Sequence, residues 1–446
     1  MGISHSRPSG RGWSEIGEDK NLMDYRPKRI LVLYCHHSSI NEMRRAVYKH
    51  LHVFDQGDVK HQIIYYNAMH GAPSWLRHSC PDAVILHTTL LCLRWSDYFL
   101  HWKNNLGWVG ELDCIKIALP QDEYDHSEIL DEWLWEWGIS VIFTNFDKSK
   151  RKLLYPIMHD KAYFQECFTG YLDHPAGAQR AEAFSEQLRS NHIVYRATQL
   201  PYCFGSHGQL KHRIGEVVAK MASAYDLQVD ISTKQEDTIV GDEWLRFLAS
   251  SKAVIGCESG SSVLDRRGEI RAQINVLLNM EPNISFEGIR KQLSCGWDDY
   301  DFFALSPRHF EAIMTKTCQI LVEGDYSGVL EPNKHYIPLK KDFSNLDEVL
   351  ERVRDDPSIQ DMAERAYHDI YLSGRYTYRT FANRIDQALR ENANPRQRTR
   401  TLFDQLTWPV AHFKGYLATF SIETRARYHC LLQAVQHATN GSLHRK

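Results

Sequence analysis

Residues 306–344 read SPRHFEAIMTKTCQILVEGDYSGVLEPNKHYIPLKKDFS, and the order of residue types in this stretch decides the fold. Ser306-Pro307 is a helix-opening pair, with Ser at the N-cap and Pro at the first helical position. On the helix that follows, Phe310, Ile313 and Met314 share one buried stripe, while Arg308 and Glu311 fall in the first turns near the positive end of the dipole. Gln319-Ile320-Leu321-Val322 is a short apolar run of strand type, and Glu323-Gly324-Asp325-Tyr326-Ser327-Gly328 is the loop leaving its carboxyl end. His335 to Leu339 is a second extended segment, stopped by Pro338. Asp342 to Asn345 then opens an acidic helix with apolar positions Leu346, Val349, Leu350 and Val353. This succession implies an α/β sheet that binds ligands beyond its carboxyl edge, with Arg308, Glu311 and Glu323 around one crevice.

Outward from this stretch the same alternation continues. Upstream, strands are predicted at 193–196, 227–231 and 253–256, with helices at 209–224 and 242–250, and a second domain runs over 185–393. Within it, residues 266–303 read as a polar and aromatic insertion. A first domain over 28–184 has predicted strands at 29–34, 62–66, 83–87, 114–119 and 141–144, with a helix at 40–54. Residues 1–27 read as a flexible arm and 394–446 as a helical extension with a helix at 422–437.

Several clusters at predicted strand ends have both a functional and a bland reading. Arg196 and Lys211 flank a Gly-containing turn and helix start, where cations and backbone amides suit a diphosphate; the alternative is a surface turn. Glu258, Ser259 and Gly260 follow a buried strand, where small residues let amides approach a phosphate, or form only a turn. Asp122 and Glu123 end a strand of the first domain and suit a base or an acceptor-hydroxyl contact; loop carboxylates are otherwise simply solvated. Cys35-His36-His37 lacks partner ligands at metal spacing, and Trp133 to Trp137 reads as packing.

The donor stretch, with its closing Met362-Ala363-Glu364-Arg365-Ala366-Tyr367 through Tyr376-Thr377-Tyr378-Arg379, resembles group 1 and spore-maturation-type glycosyltransferases of the B-type fold. The resemblance covers the last half of the chain. It implies two Rossmann-like domains facing across a cleft, with a nucleotide-sugar donor on the second and a glycan or other hydroxyl acceptor on the first. By that resemblance Glu311 holds ribose or sugar hydroxyls, Arg308 the phosphates and Glu323 the sugar region. The block Ser306, Arg308, Glu311, Tyr326 and His335 forms the donor site with Arg196, Lys211, Glu258, Ser259 and Gly260, and the outcome leans to retention. One departure stands out: the family carries Gly after F-E-A, where this chain has Thr315-Lys316-Thr317-Cys318, so the helix-to-strand turn must be built differently.

The implied function is glycosyl transfer in polysaccharide or glycoconjugate biosynthesis; the alternative is a non-catalytic nucleotide-sugar-binding protein on the same scaffold. A phosphatase or epimerase reading lacks a nucleophile motif. No D-x-D ends a strand in a fitting context, so no metal and no cofactor beyond the donor are expected. A length of 446 residues fits two domains, and a net charge of −3 argues against a nucleic-acid partner. Lys148-Ser149-Lys150-Arg151-Lys152 reads as a solvated face. Ten dispersed Cys without a C-x-x-C pair suggest neither zinc nor disulfides, hence a reduced cytoplasmic setting. No signal peptide or transmembrane run is read. Met1-Gly2-Ile3-Ser4-His5-Ser6 matches the loose N-myristoylation pattern at a length where chance suffices.

Overall fold

The computed structural model describes residues 27–37, 43–175, 189–239, 241–355, 357–392 and 407–415. They form two compact units, each built on its own parallel sheet. The predicted helix at 422–437 lies outside the described residues.

The N-terminal unit holds β1 (Arg29–Tyr34), β2 (Gln62–Asn67), β3 (Ala83–His87), β4 (Ile115–Leu119), β5 (Val141–Thr144) and β6 (Tyr163–Glu166), in spatial order β2-β1-β3-β4-β5-β6. Strands β1, β3, β4 and β5 are buried at every position, because helices cover both faces and a strand so placed must be apolar throughout. β6 is an edge strand of sequence YFQE with no such signature, and it escaped the sequence reading. The Trp cluster packs as expected at Trp133, which meets Trp137 and Phe99 edge-on at 5.1 and 5.0 Å.

Two later segments belong to this unit rather than to the second domain in which the sequence pattern put them. Val263–Tyr300 contributes the helix Glu269–Met280 and a short helix Phe286–Arg290. Arg271 donates to the Asp125 carboxylate, and Asp265 accepts from the Ser127 amide at 3.3 Å. The helix Tyr378–Glu391 inserts Phe381, Ile385 and Leu389 into the core, and its Asp386 pairs with His61 at 2.5 Å. Charges and aromatics 325 residues apart in sequence make that contact, which no local pattern encodes.

The C-terminal unit spans Leu172–Ser262 and Asp301–Thr377. Its sheet has β7 (Asn191–Arg196), β8 (Val229–Ser232), β9 (Ser251–Gly256), β12 (Cys318–Val322) and β13 (Ile337–Leu339), in order β13-β12-β9-β7-β8; a small two-stranded antiparallel ribbon pairs β10 (Ser259–Ser261) with β11 (Phe302–Ala304). Helices Gly205–Ala222, Leu346–Asp355 and Ser358–Ala366 share one core through Ile214, Val218, Leu350 and Met362. Both units are therefore doubly wound α/β folds.

The turn between the helix Pro307–Met314 and β12 explains the missing glycine. Lys316 itself takes the left-handed conformation, φ 51°, that glycine usually supplies after a helix. The Thr315 hydroxyl is in contact with the Glu311 carbonyl and the Thr317 hydroxyl at 3.1 and 3.0 Å, and Lys316 pairs with Glu364 at 2.9 Å. Among the described residues no helix is long and apolar enough to cross a membrane.

Candidate functional site

In the C-terminal unit the strand order turns between β7, which has β8 on one side, and β9 on the other. The carboxyl ends flanking this point are where open α/β sheets bind ligands. Four segments meet the edge here: the start of the helix Gly205–Ala222 after β7, the β10 segment after β9, the start of the helix Pro307–Met314, and Lys340-Lys341 after β13.

The helix start is anchored from the neighbouring strand. The Ser262 hydroxyl accepts from the His207 amide at 3.2 Å, the Ser261 hydroxyl donates to the Phe204 carbonyl at 3.1 Å, and His207 Nε2 meets the Glu258 carbonyl at 3.0 Å. His207 lies flat on Phe303, centroids 3.9 Å apart. Burial holds its imidazole down at about 4, and the positive charges of Lys211 and Lys341 push the same way. Burial likewise holds His309 down at about 4; Lys211 and Arg308 lower it further, against a hydrogen bond to Gln319. Lys211 thus acts on both imidazoles, Lys341 on one and Arg308 on the other. Lys341 Nζ is 5.9 Å from the Phe303 ring on which His207 lies, Lys211 is in the second turn of the helix Gly205–Ala222 and Arg308 is in the first turn of the helix Pro307–Met314, so three cations stand at this edge.

Arg308 and Glu311 are brought together, but through a residue the sequence reading missed. Trp244, on the helix Asp242–Ala249, donates from Nε1 to Glu311 at 2.8 Å, and the Arg308 guanidinium stacks on its ring at 5.0 Å. Arg308 also donates to the Arg196 carbonyl at the end of β7. Ser306 caps the helix as expected, accepting from the Arg308 amide. The only advance signal for Trp244 was its place on the apolar stripe of a helix, which reads as core.

Other expected donor residues have different local roles. The Arg196 guanidinium pairs with Asp230 at 2.7 Å, donates to the carbonyls of Tyr195 and Asp230 and stacks on Phe247, so it straps β7 to β8. Glu258 is buried and accepts from the Tyr326 amide at 2.8 Å, so its carboxylate ties down the loop after β12. Burial raises its pKa. Gly324 lies against it: a Cβ there would sit 2.3 Å from Glu258 Oε2. Ser259 and Gly260 lie on β10, paired antiparallel with β11, and the Ser259 hydroxyl donates to the Ala304 carbonyl. Tyr326 is fully buried, its hydroxyl bonded to the Val322 carbonyl at 2.5 Å. His335 is buried against Asp369 at 3.3 Å and accepts from the Glu331 amide. Glu323 alone among the expected carboxylates of this unit is exposed, at the end of β12.

In the N-terminal unit, Asp122 accepts from the Tyr124 hydroxyl at 2.7 Å. Glu123 is wholly buried rather than turned to an acceptor. It accepts from Thr144 at 2.6 Å, from the Asn145 amide at 2.7 Å and from the Tyr155 hydroxyl. Burial outweighs these donors and raises its carboxyl from 4.5 to about 7. A raised folded-state pKa means that this group's contribution to stability is complete below about 4.5 and is lost as pH rises through about 7. Glu123→Gln, uncharged throughout, is expected to flatten that slope by about 3 kcal/mol in urea melts across the interval. Parallel wild-type and variant curves would show the carboxyl ionised and overturn this assignment.

No protein-family model matches the sequence, and no curated protein matches it. Among solved structures, the chain is similar to an α-glucosyltransferase in complex with UDP and a 13-mer DNA containing an HMU base: 10% identity, TM-score 0.45, covering 82% of this chain and 99% of that one. It is also similar to Anabaena HepE in complex with UDP-glucose (9%, TM-score 0.42, 82% and 100% covered). AviGT4, a glycosyltransferase involved in avilamycin A biosynthesis, is similar at 11% identity and TM-score 0.42, with 82% and 98% covered. These scores carry nothing about chemistry over to this chain.

Proposed function

We propose that this protein is a glycosyltransferase that binds a nucleotide-sugar donor at the carboxyl edge of its C-terminal sheet and passes the sugar to a hydroxyl acceptor. The observation that carries the reading is the placing of three cations at this carboxyl edge: Lys211 in the second turn of the helix Gly205–Ala222, Lys341 at 5.9 Å from the Phe303 ring on which His207 lies, and Arg308 in the first turn of the helix Pro307–Met314. Cations held around two neutral imidazoles create a positive potential, which a helix start adjoining it reinforces, and a diphosphate neutralises both.

In this reading negative charge grows on the departing diphosphate as the sugar bond breaks, and the three cations stabilise it where it develops. Glu311, oriented by Trp244, holds ribose or sugar hydroxyls, and the exposed Glu323 serves the sugar. Arg196 and Glu258 act behind the site: one fixes the end of β7, the other fixes the loop that carries Glu323 and Tyr326. The biosynthetic setting and the spore-maturation-type grouping stand as part of the same proposal, as does a cytoplasmic location.

Nucleoside diphosphates at millimolar concentration are expected to raise the melting temperature of the full chain, since stabilisation follows RT ln(1 + [L]/Kd). Lys211→Ala and Lys341→Ala should each weaken that binding about 10-fold or more, the loss of a charge-assisted contact. Nucleoside diphosphate release from a sugar-nucleotide panel then separates transfer from mere binding. If none of the common nucleoside diphosphates shifts the melt, the donor site is not here.

A further inference from the structure

The N-terminal sheet also reverses its strand order, between β1 and β3, and a cavity of about 680 Å³ opens at the carboxyl ends of these strands. That volume suits a drug-sized ligand. Its walls are Met69, Leu93, Trp95, Tyr98 and Trp102. Polar groups come from His37, Thr89, Ser96 and His101, and among the described lining residues there is no Asp, Glu, Lys or Arg. The two thiols that line it are neutral, because burial pushes Cys35 up to about 12 and Cys92 up to about 11. Tyr98 and Trp95, which belong to the lining, are 72% and 37% exposed. Large aromatics left in water beside an apolar hollow mark a surface that a ligand covers.

One polar point in the lining is held in a fixed place. The Thr89 hydroxyl accepts from the Cys35 amide at 3.3 Å and lies 2.9 Å from His87 Nδ1. His87 Nδ1 also accepts from the Thr89 amide, which puts the ring proton on Nε2, 3.1 Å from His50 Nδ1. Both imidazoles are buried, so the hydroxyl is backed by a hydrogen-bonded chain that water does not reach. A phosphorylated ligand finds no Lys or Arg among the described lining residues. A glycan lacks the many polar partners that its hydroxyls need once removed from water.

We propose that this cavity binds an uncharged aromatic or alicyclic alcohol, its ring between the Trp and Tyr side chains and its hydroxyl toward Thr89. Resting on the transfer reading above, that is the acceptor class.

The test is a fluorescence titration of the full chain with methylumbelliferone, a phenol that is neutral at mildly acidic pH. Maltose and phenyl phosphate serve as competitors. Saturable binding is expected, weakened about 10-fold or more by Tyr98→Ala, whose ring is 72% exposed, and by Trp95→Ala checked for an unchanged melt. Thr89→Val, checked for an unchanged melt, should weaken it as well, and neither competitor should displace the phenol. The nucleoside diphosphate melt shift should persist in these variants, so failure here is distinguishable from failure of the donor reading. Absence of saturable binding, binding indifferent to the aromatic substitutions, or displacement by maltose or phenyl phosphate would overturn the proposal.

Discussion

Gly260→Ala is expected to destabilise the C-terminal unit by at least about 3 kcal/mol and to abolish the melt shift with nucleoside diphosphates. Gly260 has φ 110°, a region that L side chains rarely adopt, and a Cβ there would lie 1.9 Å from the Phe302 carbonyl oxygen. The obstacle is backbone, paired in register with β10, so no side chain can swing aside. The two-stranded ribbon must open. Its neighbours Ser261 and Ser262 hold the Phe204 carbonyl and the His207 amide, so the displacement passes directly to the helix start at the anion site. Urea melts give the stability change, and a calorimetric titration with UDP gives the binding. A variant that kept both at wild-type values would show that the β10–β11 ribbon does not position the helix start.

Phe381→Ala is expected to lower stability by about 3–5 kcal/mol, although the residue lies far along the chain from the sheet it supports. The ring is fully buried, stacked on Tyr171 at 4.5 Å, edge-on to Phe143 at 5.7 Å and 5.1 Å from His50. Removing it leaves an apolar void among aromatics fixed by the sheet, which cannot collapse to fill it. Hydrogen exchange should locate the loss in β1 to β6 and leave β7 to β13 protected. The opposite pattern would return the helix Tyr378–Glu391 to the second domain, where the sequence pattern had placed it.

Most central strands were legible because a parallel strand covered on both faces carries a continuous apolar run, with polar residues only at its ends. RILVLY, AVILH and VIFT announce themselves in this way. The helix cap at Ser306 and the positions of Arg308 and Glu311 were legible for a similar reason, since each follows from residues within one turn. β6 and the three-residue strands β10 and β11 were not, being too polar or too short to carry a period. Helix Gly205–Ala222 begins four residues earlier than its expected start at 209, because its glycines suggested a loop. Gly208 is needed there, for a Cβ would meet Phe204 Cβ at 2.5 Å.

The fate of the charged residues was of another kind. Arg196 resembled a phosphate ligand until Asp230 and Phe247 were found around it. Glu123 ends a strand in an acidic run that reads either as a base or acceptor-hydroxyl contact or as a solvated loop carboxylate; it is neither, because its donors Thr144 and Tyr155, which enclose it, come 21 and 32 residues later. Lys341 follows β13 with no local pattern to mark it, yet its ammonium is 5.9 Å from the Phe303 ring on which His207 lies.

Alternation of apolar runs with amphipathic helices was enough to determine two doubly wound sheets and the edge at which each opens, because burial is written into local periodicity. Tertiary structure alone decided which cations stand at the carboxyl edge of the sheet and which, like Arg196, are strapped to a carboxylate. A charge takes its role from groups within a few ångströms, and chain separations of up to several hundred residues leave no trace of those neighbours in any local pattern.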